Sequence, residues 1–582
     1  MRRLRTQPLD PGPSSRAVGG PTILALALAL LLSAGRPAGA QWTDPVQVSG
    51  QASIVSDLYA GSGIDRWPGA TWRLNVTPRA TLFGEVGVGF DVLLSSTQSE
   101  FRQNVNQVGI SPSWSWGTVH LGDFSRDYSR YLIRGTRLRG AGLDLRHGPV
   151  SLELQAGRAE RRVTLSEFGS GRTAFRRNLY AARLGLGSSS GTNVHLSLLR
   201  GKDDPGSVDE IVVVPDTLLL DTIPLDLRPP TDNRPQENLA VGVGGQLALG
   251  QRRLVLRGEF ASSLITRDLW GEPIGRELEE LAIPSRLYSL VEGIHDVRRS
   301  TGLDHAWEIE GTLNVGPGRF RAGYESIGPG FTSMGLQSFV NDRRGFRVDG
   351  AVRYLEGRVA LQAQLRDQTN NVAGQLRNTV DRRTVSGSAM VRPIDPVNVA
   401  LSGVVSSVEN HAVADSARLD NRALALNSTV GVQRELAGYP TLVSLGYTFQ
   451  EAADRSPLAA VPTVTTHNVT GAVQVTVSPQ LSLAPSVSGV TTRGDGIDRQ
   501  RNLFIGMRGS ARLLDGELRL TGNVAQTVNQ GRRVFNSQVQ GSHPLQWGTD
   551  LRLQLRHNRF SAFGEQPGFQ ESFMTLSLSR GF

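Results

Sequence analysis

Apolar and polar residues alternate with a period of two along most of this chain. The segments 150–157, 359–366 and 551–556 each place aliphatic residues at every second position and polar residues between them. This alternation predicts β-strands with one apolar face and one wet face. About 26 such segments occur, the first near 48–58 and the last near 570–582, whereas helical periodicity is confined to one plausible helix near Pro284 to Ile294.

The connections between the predicted strands have a regular rhythm. A short turn follows every second strand, at Pro78-Arg79, His147 to Pro149, Ser188 to Gly191, Gly250-Gln251, Gly316 to Gly318, Glu356-Gly357, Ile394 to Pro396, Ser478-Pro479, Asp515-Gly516 and Gln546 to Gly548. The intervening connections are mostly longer, which is typical of transmembrane barrels. We therefore predict an all-β fold class, a single large antiparallel transmembrane β-barrel of about 22–26 strands whose first and last strands pair, because lipid requires every backbone group to be hydrogen-bonded.

The first 40 residues have the features of a secretory signal peptide. Arginines precede an apolar run from Ile23 to Leu32, and the small residues Ala38 to Ala40 offer a cleavage site before Gln41. The run is too short to span a bilayer, since a membrane helix needs roughly 18 or more apolar residues. We expect residues 1–40 to be removed and residues 41–582 to form the barrel.

The end of the chain carries a second signal. Met574, Leu576 and Leu578 fall on one face of a strand that closes on Phe582. This segment resembles the terminal strand of bacterial outer-membrane β-barrels, whose final aromatic residue is read by the barrel-insertion machinery. The resemblance implies a protein of the cell outer membrane with both termini in the periplasm, whose partners are outer-membrane lipid and, during biogenesis, that machinery.

Two internal segments resemble parts of large outer-membrane barrels, including fimbrial ushers and gliding-motility translocons. They are Gly122 to Phe124 with Leu138 to Leu143, and Tyr324 to Gly335 followed by Asn341-Asp342. No functional residue carries over from these families. Strand alternation starts within about ten residues of Gln41, which leaves no room for the N-terminal plug domain of TonB-dependent transporters.

Composition narrows the chemistry. The chain has no cysteine and therefore no thiolate metal site. The signal peptide contributes five arginines and one aspartate to the net charge of +9, so its removal leaves about +5 on residues 41–582. Because this charge is modest, we expect no nucleic-acid partner. The nine histidines are scattered without paired ligand spacing, and no G-x-S-x-G motif is present. We expect no enzyme activity, no catalytic or metal site and no cofactor.

The densest charged cluster is the candidate site. It comprises Asp123, Arg126, Asp127, Arg130, Arg134, Arg137 and Arg139. If these groups line the lumen, they form a positive constriction that favours anions. The alternative is a wet wall or loop in which the charges are partly paired.

Two long connections, 201–237 and 263–304, are either folded-in constrictions or surface ligand sites, or else ordinary loops. A barrel above about 16 strands leaves an aqueous interior unless something fills it. The sequence thus favours a porin-like channel for passive passage of hydrophilic solutes. The alternatives are the barrel component of a protein-export or surface-assembly machine, and a surface adhesion scaffold with a closed lumen.

Overall fold

The protein is described from a computed structural model. The description covers residues 46–62, 66–97, 103, 105–163, 173–188, 190–208, 234–273, 293–459, 463–529, 531–562, 564 and 567–582. The signal peptide predicted over 1–40, the helix predicted near Pro284 and the central parts of both long connections lie outside these ranges, apart from residues 293 and 294 of the helix.

The described chain is built almost entirely of β-strands. They are β1 (Val46–Gly61), β2 (Ala70–Leu82), β3 (Val86–Ser95), β4 (Gln107–Trp114), β5 (Gly117–Ser125), β6 (Ile133–Arg134), β7 (Arg137–His147), β8 (Val150–Glu160), β9 (Arg177–Gly187), β10 (Asn193–Asp203), β11 (Glu237–Leu249), β12 (Leu254–Thr266), β13 (Thr301–Val315), β14 (Gly318–Ile327), β15 (Gly335–Leu336), β16 (Arg343–Tyr354), β17 (Val359–Asn370), β18 (Val380–Val391), β19 (Val397–Asn410), β20 (Asp420–Leu436), β21 (Tyr439–Asp454), β22 (Thr463–Ser478), β23 (Leu481–Gly494), β24 (Ile497–Leu513), β25 (Leu518–Asn529), β26 (Arg532–Leu545), β27 (Thr549–Phe560) and β28 (Phe569–Gly581). Short 3₁₀ turns occur at Pro205–Ser207, Leu355–Gly357, Asp415–Ala417 and Gln546–Gly548. Within the described ranges, no helix is long and apolar enough to cross a membrane.

All strands except β6 and β15 form one closed sheet of 26 antiparallel strands. The closure is made by β1 and β28, which pair from Gln51 opposite Gly581 to Gly61 opposite Glu571. This confirms the predicted fold class and the predicted pairing of the first and last strands. With strands about 4.8 Å apart and tilted by about 40°, such a barrel is roughly 50 Å across if its section is circular.

The two faces of the wall follow the alternation in the sequence. On β11, Val241 and Val243 point outwards and are exposed, whereas Asn238 and Ala240 point inwards and are buried. Exposed aliphatic side chains on the outside and polar or small ones on the inside are the distribution expected of a barrel in lipid. The periodicity therefore sets both the strands and their orientation.

Both chain ends of the barrel lie at one end, here named the terminal end, and the opposite end is named the loop end. Connections at the terminal end are short, as at Gly148-Pro149 between β7 and β8, and the long connections are at the loop end. One predicted turn is wrong: Pro78-Arg79 lies inside β2, and the chain turns at 83–85 instead. Pro78 is tolerated there because β2 pairs continuously with β1, while the pairing with β3 is interrupted at Thr77 and Pro78, where proline has no N–H to donate.

Candidate functional site in the lumen

Two connections from the loop end fold back into the barrel. We name residues 126–136, between β5 and β7, the first loop, and residues 328–342, between β14 and β16, the second loop. Their short strands β6 and β15 pair in parallel, with Ile133 opposite Gly335. The Thr136 hydroxyl donates to the carbonyl of Gly335 at 2.7 Å, and the Ser333 hydroxyl donates to the carbonyl of Leu132. The two loops thus form one unit against the inner wall.

An apolar core holds this unit together. The side chains of Tyr131, Leu132, Ile133 and Phe331 are at most 1% exposed. The ring of Tyr131 meets Phe331 edge-on, with centroids 6.1 Å apart, and meets Phe339 in the same way at 6.3 Å. Edge-to-face packing at these distances is favourable for aromatic rings.

The wall is shaped to receive the loops. The inner residues beneath them are mainly alanine and glycine, including Ala181, Ala240, Ala261 and Ala306, all of which are buried in the same cluster. A Cβ added to Gly242 would lie 2.9 Å from the Cδ1 of Leu132, and one added to Gly201 would lie 2.9 Å from the Cβ of Met334. Small inner residues therefore give the depth that the loop side chains fill.

A row of carboxylates on the wall receives the tip of the first loop. Glu259, Glu308 and Glu325 stand directly opposite one another on β12, β13 and β14. The guanidinium of Arg130 donates to Glu308 and, at 2.9 Å, to Glu325, while the Ser129 hydroxyl donates to Glu259. Burial by itself lowers the pKa of Arg130, but the attraction of the carboxylates outweighs it and the pKa is raised. Arg130 is a fixed cation in a site that adjacent like charges would otherwise destabilise.

A second polar anchor lies at the start of the first loop. Arg126 donates to Asp144 on β7 at 2.5 Å and to Nε2 of His120 on β5 at 3.1 Å. His120 also contacts Asp144 at 3.2 Å and, through Nδ1, the hydroxyl of Ser111 at 2.9 Å. The guanidinium of Arg126 thus bonds to both His120 and Asp144. These two contacts anchor the start of the first loop to the inner wall.

The opposite wall has a different character. One register row running from β17 to β22 presents hydroxyl and amide side chains to the lumen, namely Gln362, Ser388, Ser402, Asn427, Thr448 and Asn468. The polar surface continues onto β23, where the Ser488 hydroxyl donates to Asn468 at 2.6 Å. Uncharged groups of this kind make a hydrophilic surface without a fixed charge.

The charged cluster singled out in the sequence divides over two faces. Arg126 and Arg130 reach the lumen as described, and Asp127 braces the first loop by accepting from the N–H of Gly135 at 2.7 Å. Arg134 is exposed in β6. Asp123 and Arg139 form a two-bond pair at 3.0 and 2.7 Å on the outer face, where Arg137 also points, so these three side chains do not line the lumen.

The residues of the terminal strand keep to one face. Met574, Leu576 and Leu578 stand opposite Leu58, Ser56 and Ile54 on the outside of the β1–β28 seam. Phe582 continues the pairing beyond β28, accepting from the N–H of Gly50 at 2.7 Å and donating to its carbonyl at 3.1 Å. Its ring packs on the cluster of Ala52, Ile54 and Leu578.

Sequence reasoning missed the wall carboxylates and the second loop as parts of the site. It treated the Tyr324 to Gly335 segment only as a resemblance, although this segment contacts the first loop, which lies between the two parts of the other resembling segment. An apolar run, Tyr131 to Ile133, inside a polar connection was the available signal for docking. Within the described ranges, no group of three or more His, Cys, Asp or Glu residues is arranged to hold a metal ion.

Comparisons with known proteins give matches only at the level of solved structures. No protein-family model matches the sequence, and no curated protein is similar to it. The fold is a single closed antiparallel β-barrel of 26 strands. The translocation pore of the P pilus usher PapC is 10% identical, with 92% of this chain and 99% of that chain covered and a TM-score of 0.37. Pseudomonas aeruginosa OpdK with vanillate is 11% identical, with coverage of 60% and 93% and a TM-score of 0.31. The FpvAI–pyocin S2 complex is 10% identical, with coverage of 92% and 73% and a TM-score of 0.37.

Proposed function

We propose that the protein is an outer-membrane channel through which hydrophilic solutes pass passively, around a constriction made by the two infolded loops. The observation that carries this proposal is the asymmetry of the lumen. The loops dock on the wall of β5 to β14, whereas the wall of β17 to β22 presents hydroxyl and amide groups to the interior. Polar, uncharged walls suit rapid passage, because a solute must bind weakly enough to leave.

The dimensions support a conduit. A barrel roughly 50 Å across exceeds what two short loops can fill, since an extended backbone with its side chains is about 10 Å wide. Export through a cleaved signal peptide, periplasmic termini and contact with outer-membrane lipid belong to the same proposal. So does the absence of enzyme activity, since the Ser111–His120–Asp144 contacts serve the loop through Arg126.

The ion pairing changes the expected selectivity. Arg126 and Arg130, which the sequence suggested as an anion screen, are bonded to Asp144, Glu308 and Glu325. Paired charges contribute little net field beyond a Debye length of about 8 Å at physiological salt. We therefore propose a weakly selective pore rather than an anion-selective one.

A second candidate function is the barrel component of a protein-export or surface-assembly machine. The width of the lumen favours it, because an open interior of this size would pass large molecules unless another chain occupies it. In that case the polar wall of β17 to β22 is the surface along which the occupant lies.

Single-channel recording separates the two candidates. The full-length gene is expressed, and the exported protein is purified from outer membranes and inserted into planar bilayers, where current steps and the reversal potential in a salt gradient are recorded. Large, steady steps with a reversal potential near zero support the channel. A barrel that is inserted, as judged by heat-modifiable mobility, yet passes no current overturns the channel and supports a component whose lumen needs a partner.

A further inference from the structure

The barrel wall carries a cavity of about 710 Å³ that is lined in part by exposed apolar residues such as Leu361 and Leu401. Another cavity, on the inner side of the wall, has charged groups of opposite sign at its two ends. It lies beneath the first loop, toward the terminal end, and has a volume of about 290 Å³. Its lining includes Arg146, Arg183, His195, Arg257, Glu259 and Glu308. This is close to the lower limit of about 300 Å³ for pockets that take small molecules.

The cavity follows one register row of the wall. Reading along directly opposed residues, the row runs Arg146, Ser151, Gly185, His195, Gly244 and Glu259, from β7 to β12. Five strand spacings separate its ends, or about 24 Å between backbones. An arginine side chain reaches about 7 Å and a glutamate about 4 Å, which leaves about 13 Å between the charged groups. A hydrogen-bond contact of about 3 Å at each end leaves about 7 Å, the length of an extended peptide of about two to three residues.

Glycines keep the floor of the cavity open. A Cβ on Gly244 would lie 2.7 Å from Nε2 of His195, and a Cβ on Gly185 would lie 2.5 Å from the hydroxyl oxygen of Ser151. Any larger residue at either position would push into the space between the charged ends. The depression is therefore built by the sequence of the wall.

In the part of the chain that the structure describes, the charged groups at the two ends form no ion pair. Across the described ranges, the guanidinium of Arg146 forms no ion pair, and the Glu259 carboxylate accepts only from the Ser129 hydroxyl. The neighbouring cations are already engaged, Arg183 with Glu153 at 3.2 Å and Arg257 with Gln246 at 2.7 Å. A cation without an ion pair, Arg146, and a carboxylate that Arg130 compensates only in part, Glu259, thus face a common cavity.

We propose that this cavity binds short zwitterionic peptides, with the peptide carboxylate on Arg146 and its ammonium group on Glu259. The proposal rests on the proposed channel function, for which it names a class of solute. Arginine binds a carboxylate through two parallel hydrogen bonds, and the ammonium–carboxylate contact is the matching pair at the other end. Weak affinity, with a Kd on the order of 1 mM, is what a channel site requires.

Saturation-transfer NMR on the detergent-solubilised full barrel tests the site without any need for ion conduction. The probes are trialanine, N-acetyl-trialanine, which lacks the ammonium group, and trialanine amide, which lacks the carboxylate. We expect trialanine to bind about tenfold more tightly than either blocked form. Equal binding of the three probes, or no binding of any, overturns the proposal. If trialanine binds selectively but the protein passes no current in planar bilayers, the channel function alone is overturned.

Variants assign the two ends. We expect Arg146→Gln to weaken the binding of trialanine about tenfold and to leave the binding of trialanine amide unchanged. We expect Glu259→Gln to weaken the binding of trialanine about tenfold and to leave the binding of N-acetyl-trialanine unchanged. Arg508→Gln removes a lumen arginine on β24, outside the lining of the cavity, and should bind trialanine like the parent. An equal loss in Arg508→Gln overturns the site. If Glu259→Gln does not assemble, Arg146→Gln decides alone, because the Arg146 side chain makes no ion pair within the described chain.

Discussion

The hydroxyl of Thr136 donates a 2.7 Å hydrogen bond to the carbonyl of Gly335, joining positions 199 residues apart in the sequence. This bond belongs to a set that includes the parallel pairing of Ile133 with Gly335 and the contact of Ser333 with Leu132. Because these contacts link one loop to the other, neither loop can leave the wall without breaking bonds to its neighbour. We expect the two loops to dock and undock together.

Replacement of Phe331 by alanine tests this cooperativity. Phe331 is fully buried between the loops, and removing a buried phenylalanine costs about 3–5 kcal/mol. We expect hydrogen exchange to rise in residues 126–136 as well as in 328–342, with the barrel strands unchanged. Phe320→Ala, at a residue 46% exposed on the outer face of β14, is the control that should leave both loops protected. Faster exchange in the second loop alone would show that the loops move independently.

Replacement of Arg130 by glutamine should loosen the first loop and change the selectivity of the pore. The substitution leaves Glu308 and Glu325 directly opposed without their shared cation. Since the Arg130 side chain is 34% exposed, we expect a cost of about 1–2 kcal/mol in loop docking rather than the larger penalty of a fully buried pair. Reversal potentials in a salt gradient should shift toward cation preference. Arg508→Gln on β24 removes a lumen arginine outside the cavity that Arg130 lines, and an equal shift in that variant would contradict the assignment.

A disulfide can report whether the loops are docked in the membrane. The chain has no cysteine, so a pair introduced by Arg134→Cys and Leu336→Cys has no competing thiol. These positions face each other in the β6–β15 pairing, where Cα separations suit a disulfide. We expect efficient cross-linking in intact outer membranes, read as a mobility shift on non-reducing gels. A yield no higher than that of Arg134→Cys with Val404→Cys, on the far wall, would show that the loops are undocked there.

The strands were predictable because their determinant is local. Alternation at positions such as Val150 and Leu152 depends only on which face of the wall meets lipid, and the closing pair β1–β28 follows from the need to satisfy every edge. The misplaced turn at Pro78 has the opposite cause, since whether a strand tolerates proline depends on its neighbours.

The infolded unit was not predictable in the same way, because its contacts join distant segments. Tyr131 can be buried inside the lumen because Phe331 packs against its ring and because the alanines on the inner face of β9 to β13 leave room for the loop. Likewise Arg130 could be assigned a role only after Glu308 and Glu325 were placed opposite each other by the register of β13 and β14. Length pointed to 201–237 and 263–304, whose central parts lie outside the described residues, whereas the two connections seen to dock, 126–136 and 328–342, are shorter.

The terminal residue gives the last prediction. Phe582 bonds to Gly50 through its backbone and packs its ring on Ile54 and Leu578, so its side chain is separable from its backbone role. If the ring is read by the insertion machinery, Phe582→Ala should reduce the heat-modifiable, folded fraction several-fold in cells, while refolding of the purified chain into detergent changes little. Phe560→Ala, which removes a ring stacked on Phe569 at the loop end, controls for the loss of an aromatic side chain near a strand end. Equal losses in cells and in detergent would place the effect of Phe582 in the stability of the β1–β28 seam, because only that seam is common to both conditions.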